Sequence, residues 1–235
     1  MIEMRALLLA LLVACGGSAR PVEPIANAPA GPLDPAPSPP TLRWFGERFE
    51  VEGLPAITRD GSSVVLAEQD SDGGRGNPNL TLVTIGRDNR STDAFVVLSV
   101  DEAAPSPRLE KRLAEANAAL AQRARTEGPL VPLVPLETDK DITQNIARGP
   151  GLEVAFTPTR LVIRRGTTVL LDRELPAAWT TAPFRSMGGG QACENRPYLG
   201  TVWLDEDRKL AMFAVNFTGT DMCWEPPTRH HVVVW

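Results

Sequence analysis

The sequence contains few of the residues that carry most enzyme chemistry. It has only two histidines, the neighbours His230 and His231. On the strand that the following valines indicate, their side chains point to opposite faces and cannot act together on one site. We expect one to face solvent and the other to be half-buried. The chain also lacks the His-Glu-x-x-His and Gly-x-Ser-x-Gly patterns of peptidases and serine hydrolases. No motif therefore identifies a reaction or a cofactor.

A block of positive charge and a long apolar run are also missing. The net charge is −5, and no stretch is rich in lysine and arginine. Nucleic acid is therefore disfavoured as a partner, because binding phosphates requires clustered cations. The apolar run Ala6–Ala14 contains nine residues, whereas a helix that spans a bilayer needs about 20.

The run Ala6–Ala14 instead predicts a secretory signal, since it follows Arg5 and has the length of a signal-peptide core. Its end, Leu12-Val13-Ala14-Cys15, resembles the lipobox of bacterial lipoproteins. The resemblance implies that residues 1–15 are a signal peptide cleaved before Cys15. It also implies a thioether-linked diacylglycerol on the Cys15 sulfur and acylation of the new amino group.

Acyl chains such as palmitate on Cys15 would anchor the protein, because stable membrane binding takes more than one chain. Lipoproteins retained at the inner membrane often have aspartate after the cysteine. Gly16 at this position favours the outer membrane, with the protein facing the periplasm or the exterior. The alternative is an ordinary secretory signal in which Cys15 has no role.

Residues 16–40 predict a disordered, proline-rich linker. Eight of the twenty residues from Pro21 to Pro40 are proline, with alanine, glycine and serine between them. Such a segment forms neither helix nor ladder. At about 3.1 Å per residue it extends up to ~75 Å, which would hold the folded part away from the membrane.

The remaining cysteines, Cys193 and Cys223, form an even pair once Cys15 carries lipid. Outside the cytosol such a pair predicts a disulfide. The alternative is two separate buried thiols.

Residues 41–235 predict a single domain that is mainly β. We expect antiparallel meanders in a sandwich or a partial propeller-like body, covered by one helix over about 106–127. Ser106 and Pro107 suit the start of this helix. Two repeat-like halves, 41–104 and 151–235, would flank the helix. Between them, Leu130–Leu136 fits an edge strand or an extended crossing segment because of its prolines, and residues 137–150 fit a loop.

Residues 54–85 resemble one blade repeat of TolB-like β-propellers. The resemblance rests on Pro55, Ile57 and Thr58, on the turn Asp60-Gly61, and on the apolar strand Val64–Leu66. It implies a hairpin at Asp60-Gly61 within an antiparallel sheet. Arg59 stands where the repeat usually has proline, and a propeller needs four or more such blades.

Two groups of oxygen ligands are candidates for chemistry. Asp70, Asp72, Asn77 and Asn79 lie in one glycine-rich loop and offer a weak calcium site, although a solvated hairpin loop is the better interpretation. The pair Asp205 and Asp207, or the pair Asp70 and Asp72, supplies the carboxylates that a hydrolase would need.

The sequence therefore favours a lipid-anchored cell-envelope protein with a non-catalytic binding or structural role. Its partners would be the membrane, through Cys15, and another envelope protein or a wall component. The alternative is an envelope hydrolase that uses paired carboxylates or a metal.

Overall fold

A computed structural model describes residues 38–69, 77–139, 145–182, 195–218 and 226–235. Strands predominate and are joined by antiparallel pairing, and one long helix accompanies them. In chain order the elements are β1 (Thr41–Phe45), β2 (Arg48–Glu52), β3 (Ala56–Ile57), β4 (Ser63–Glu68), β5 (Leu80–Gly86), β6 (Ser91–Leu98), α1 (Pro107–Thr126), β7 (Val131–Pro132), β8 (Val134–Pro135), β9 (Glu137–Thr138), β10 (Ile146–Gly149), β11 (Leu152–Thr157), β12 (Arg160–Arg165), β13 (Thr168–Glu174), α2 (Ala177–Thr180), β14 (Pro197–Asp205), β15 (Leu210–Phe217) and β16 (Arg229–Val234).

The strands form a hairpin and three larger sheets. The hairpin pairs β1 with β2 through a turn at Gly46, whose φ of +64° suits glycine. The first sheet has the order β6-β5-β4-β3-β7, the middle sheet β16-β15-β14-β8, and the last sheet β13-β12-β11-β10-β9. The predicted fold class, mainly β with antiparallel meanders, is confirmed.

Three hydrophobic cores join these sheets into layers. The helix-side core lies between the first sheet, α1 and the hairpin. The middle core lies between the first and middle sheets, and the C-terminal core lies between the middle and last sheets. Strand β15 is apolar at almost every position because it is buried on both faces: Met212 belongs to the middle core and Phe213 to the C-terminal core.

Helix α1 covers the first sheet as predicted. The Ser106 hydroxyl accepts a hydrogen bond from the Leu109 backbone N–H at 3.2 Å, and Pro107 is the first helical residue. Its buried stripe consists of Leu109, Leu113, Ala116 and Leu120. None of the helices in the described ranges is long and apolar enough to cross a membrane. The short helix α2 was not predicted.

The segment Leu130–Leu136 is both an edge strand and a crossing segment. Its strands β7 and β8 lie at the edges of the first and middle sheets, and β9 follows at the edge of the last sheet. Leu130 is buried in the helix-side core, Leu133 in the middle core and Leu136 in the C-terminal core. The chain therefore crosses one layer for every three residues.

Backbone hydrogen bonds fix this crossing at the same interval. The N–H groups of Leu133, Leu136 and Asp139 donate to the carbonyls of Pro55, Val202 and Ile146 at 2.9, 2.8 and 2.9 Å. The predicted loop over residues 137–150 is thus wrong at β9 and β10, because both complete the last sheet.

Two asparagines cover strand edges with their side-chain amides. The amide of Asn117 on α1 pairs with the backbone of Leu42 through hydrogen bonds of 2.8 and 2.9 Å. The amide of Asn89, in the turn between β5 and β6, pairs with the backbone of Val232 through two bonds of 2.6 Å. Each amide replaces a neighbouring strand at that point, so the backbone groups are satisfied.

We predict that Leu133→Ala destabilises the fold by about 2–5 kcal/mol, because it leaves a cavity in the middle core. The neighbouring Val134, which is 58% exposed, provides the matched control. Val134→Ala is expected to change the free energy of unfolding by less than about 0.5 kcal/mol. Urea denaturation measures both. Equal losses for the two variants would contradict the layer crossing.

Candidate functional site

A groove runs along the crossing segment on its solvent side. We call it the Val134 groove, after the residue that is 58% exposed within it. Its volume is about 360 Å³. The crossing segment, the β10–β11 turn and the β14–β15 turn supply its lining: Val131, Pro132, Val134, Leu136, Pro150, Leu152 and the stretch from Leu204 to Arg208.

The local sequence explains why apolar side chains remain exposed here. Leu133 and Leu136 are buried, whereas Val134 and Pro135 between them lie on the surface. Pro135 has no N–H, so it leaves no unsatisfied donor at the edge of the middle sheet. Gly149 on β10 lies against Leu136, where any larger residue would collide with the leucine. The groove thus has an apolar floor whose backbone is fixed by the hydrogen bonds of Leu133 and Leu136.

One rim of the groove is acidic and contains the predicted pair Asp205 and Asp207. The Asp205 carboxylate accepts a hydrogen bond from the Arg208 backbone N–H at 2.8 Å and binds the Arg208 Nη1 at 2.6 Å. Its side chain is only 8% exposed. Asp205 therefore braces the β14–β15 turn.

The rest of the rim is partly neutralised. Glu206 forms an ion pair with Arg165 at the end of β12, whereas Asp207 is exposed and has no ionic partner among the described residues. The Arg208 guanidinium also reaches the Arg59 carbonyl at 3.4 Å and ties the rim to the first sheet. The groove thus presents an apolar floor beside one unpaired carboxylate.

The calcium site stays a prediction in part, because two of its four residues, Asp70 and Asp72, lie outside the described residues. Asn77 and Asn79 are described, and their amide nitrogens donate to the carbonyls of Val100 and Asn77 at 3.3 Å in each case. Within the described ranges, no group of three or more His, Cys, Asp or Glu side chains could hold a metal ion.

Cys15, Cys193 and Cys223 also lie outside the described residues, so the lipid anchor and the disulfide stay predictions.

The two histidines face opposite sides of β16, as their neighbouring positions require. The expectation that one faces solvent is wrong. The His230 ring contacts the Glu68 carboxylate, with Nδ1 and Oε1 separated by 2.8 Å, and only 12% of its side chain is exposed. Glu68 ends β4, so this contact joins the first and middle sheets. His230 and Glu68 are 162 residues apart in the sequence, so no local pattern could predict their contact.

His231 is buried between the middle sheet and α2. Its ring stacks on Trp179 with centroids 4.2 Å apart and an interplanar angle of 9°, and Phe213 lies 5.6 Å away. Its Nε2 atom is buried and has no hydrogen-bond partner within the part of the chain that the structure describes. Burial lowers the pKa of His231 to about 4, and the charges of Arg229 and His230 act in the same direction. The histidine is therefore neutral at physiological pH and serves as packing.

Comparisons with protein families, with curated proteins and with solved structures found no match to this chain.

We predict that burial of His231 makes stability depend on pH. The unfolded chain takes up this proton near pH 6.5 and the folded chain near pH 4. The contribution of the neutral His231 to the free energy of unfolding is therefore complete above pH 6.5 and decreases as the pH falls toward 4. At pH 5 the loss amounts to about 2 kcal/mol. His231→Phe keeps an aromatic ring against Trp179 but does not titrate.

Urea denaturation of both chains at pH 7 and pH 5 measures the effect. The wild type should lose more stability than His231→Phe between these values. Parallel losses in the two chains would show that His231 titrates normally in the folded state.

Proposed function

We propose that this chain is a lipid-anchored cell-envelope protein that binds a partner through the Val134 groove and has no catalytic role. The anchor is Cys15, the stalk is the linker over residues 16–40, and the layered body over residues 41–235 carries the groove. This proposal places the body outside the cytosol, most naturally at the outer membrane. A disulfide between Cys193 and Cys223 suits that compartment.

The groove is the observation that carries the binding role. Pockets that hold ligands typically have volumes of about 300–1,000 Å³ and mainly apolar linings with a few polar groups. The Val134 groove, at about 360 Å³, has an apolar floor and a polar rim along one side. Its floor is the backbone-bonded crossing segment, which supports preorganised binding because little conformational entropy remains to be lost.

The position of Asp205 favours binding over hydrolysis. A carboxylate that acts as a general base must reach a proton on the substrate. Both Asp205 oxygens instead accept hydrogen bonds from Arg208, within a turn. Among the described residues of the rim, Asp207 offers one carboxylate without an ionic partner, which suits recognition of a cationic group.

These features describe the partner's chemistry. A short apolar group would occupy the floor beside Val134, and a neighbouring cation would face Asp207. An exposed segment of another envelope protein with adjacent apolar and basic side chains meets both requirements, as does the amino group of a wall peptide beside an aliphatic side chain.

For the anchor, we predict that Cys15→Ser abolishes membrane association. The wild-type chain should partition into the detergent phase, and its mature N-terminal peptide should begin at a lipid-modified Cys15. The Cys193→Ser chain serves as the control and should remain anchored. A purified native protein that retains residues 1–15, or that carries Cys15 as a free thiol, would contradict the anchor.

For the groove, we predict that Val134→Asp weakens partner binding by about tenfold or more, because it places a charge on the apolar contact. A photoreactive amino acid at position 150, which is exposed and lines the groove, would report binding in intact cells as a cross-linked envelope protein or wall fragment. Val169→Asp is the matched control, since Val169 is 50% exposed on β13 and lies outside the groove lining. Equal cross-linking in both variants would overturn the groove as the binding site.

A further inference from the structure

A second cleft lies between helix α1 and strands β5 and β6, on the face of the first sheet that the helix covers. We call it the Phe95 cleft, after the β6 residue in its lining. Its volume is about 340 Å³. It lies at the edge of the sheet opposite the crossing segment and shares no lining residue with the Val134 groove. Binding in this cleft would therefore be independent of the proposed function.

The inner part of the Phe95 cleft is apolar. Leu82 of β5 and both Ala116 and Leu120 of α1 are buried, and the ring of Phe95 is half-buried. The helix contributes a second alanine, Ala119, to the lining, and these small side chains leave open space between α1 and β6. This part of the cleft can therefore hold an aliphatic chain or an aromatic ring.

Arg123 of α1 belongs to the polar part of the lining and already has partners. Its Nη1 donates a hydrogen bond to the Thr84 hydroxyl at 2.8 Å, and its Nε lies 3.2 Å from a Glu127 carboxylate oxygen. Only 26% of the Arg123 side chain is exposed. The guanidinium is therefore held between the sheet and Glu127, and its charge is balanced.

Asp93 of β6 is the one charged residue of the lining that has no ionic partner among the described residues. The β5–β6 register places Asp93 opposite Thr84. It places Phe95 opposite Leu82, and both pairs lie in the regular stretch between the two register shifts. Residues directly opposite one another share a face, and Thr84 contacts Arg123 on the helix-covered face. The Asp93 carboxylate and the Phe95 ring therefore lie on that face as neighbours along β6.

We propose that the Phe95 cleft binds a small organic cation with an apolar body and one ammonium group. The body would occupy the apolar part, against Leu82 and Ala116. The ammonium would contact the Asp93 carboxylate and the Phe95 ring, because cations bind the face of an aromatic ring within about 6 Å of its centre. The cleft volume is near the lower end of the range of about 300–1,000 Å³ for ligand pockets, which suits a small molecule better than a polypeptide segment.

The charges of the lining favour a cation over an anion. One guanidinium and two carboxylates give the lining a net charge of −1. A cation at Asp93 would neutralise this charge. An anion would have to bind the Arg123 guanidinium, where it would compete with Glu127 for N–H groups and be repelled by its carboxylate. An anion of the same shape is therefore the decisive comparison.

Calorimetric titration of the full-length chain in detergent tests the ligand class with three probes of similar shape. The probes are 2-phenylethylammonium, the neutral 2-phenylethanol and the anionic 3-phenylpropanoate. We expect the ammonium probe to bind at least about tenfold more tightly than the alcohol, because it adds a charge-assisted hydrogen bond. The carboxylate should bind more weakly than both. A carboxylate that binds as tightly as the ammonium probe, or an ammonium probe that does not bind, would overturn the proposal.

Two pairs of variants, all at exposed positions, locate the site. Asp93→Asn should weaken binding of the ammonium probe by about tenfold or more and leave the alcohol unchanged. Asp101→Asn, outside the lining, should change neither. Ala119→Trp should fill the cleft and abolish binding of both probes, whereas Ala118→Trp, outside the lining, should not. Urea denaturation checks that each variant folds. Equal effects of Asp93→Asn and Asp101→Asn, or binding that survives Ala119→Trp, would show that the probe does not occupy this cleft.

Discussion

The crossing segment determines how the layers of this protein fit together. Stacked sheets pack about 10 Å apart, and three extended residues span at most about 10–11 Å. The spacing of Leu130, Leu133 and Leu136 therefore matches one leucine to each core. The intervening prolines remain at sheet edges, where their missing N–H groups cost nothing. Loss of this register would move a leucine out of its core and a surface residue into it. Three cores thus depend on one seven-residue stretch.

The same constraint produces the groove. A segment that inserts every third side chain must leave others outside, and Val134 is exposed for this reason. The β14–β15 turn, braced by Asp205 and Arg208, then forms a wall beside it. Exposure of an apolar side chain is here a consequence of architecture, because the residues on either side of it are fixed by burial and by backbone hydrogen bonds.

Much of the fold could be predicted from local sequence patterns. Helix α1 was predicted because its cap at Ser106 and its leucine spacing are encoded within one stretch. The turn between β3 and β4 was predicted because Asp60-Gly61 favours a tight turn, and Gly61 has the positive φ that suits glycine. The two-residue strands β7, β8 and β9 have no such signal, because each is defined only by a partner distant in sequence. The contacts of His230 with Glu68 and of His231 with Trp179 were missed for the same reason. The lipid anchor, the disulfide and the TolB-like repeat stay predictions.

Strand β16 joins the layers at the edge of the middle sheet opposite β8. Its neighbouring side chains reach the layers on both faces: His230 contacts Glu68 of the first sheet, and His231 stacks on Trp179 of α2. The middle sheet is therefore held at both edges, by the crossing segment at β8 and by these two ring contacts at β16. Displacement of either neighbouring layer would break buried contacts at both edges, so the architecture that forms the groove is stabilised on the far side of the sheet as well.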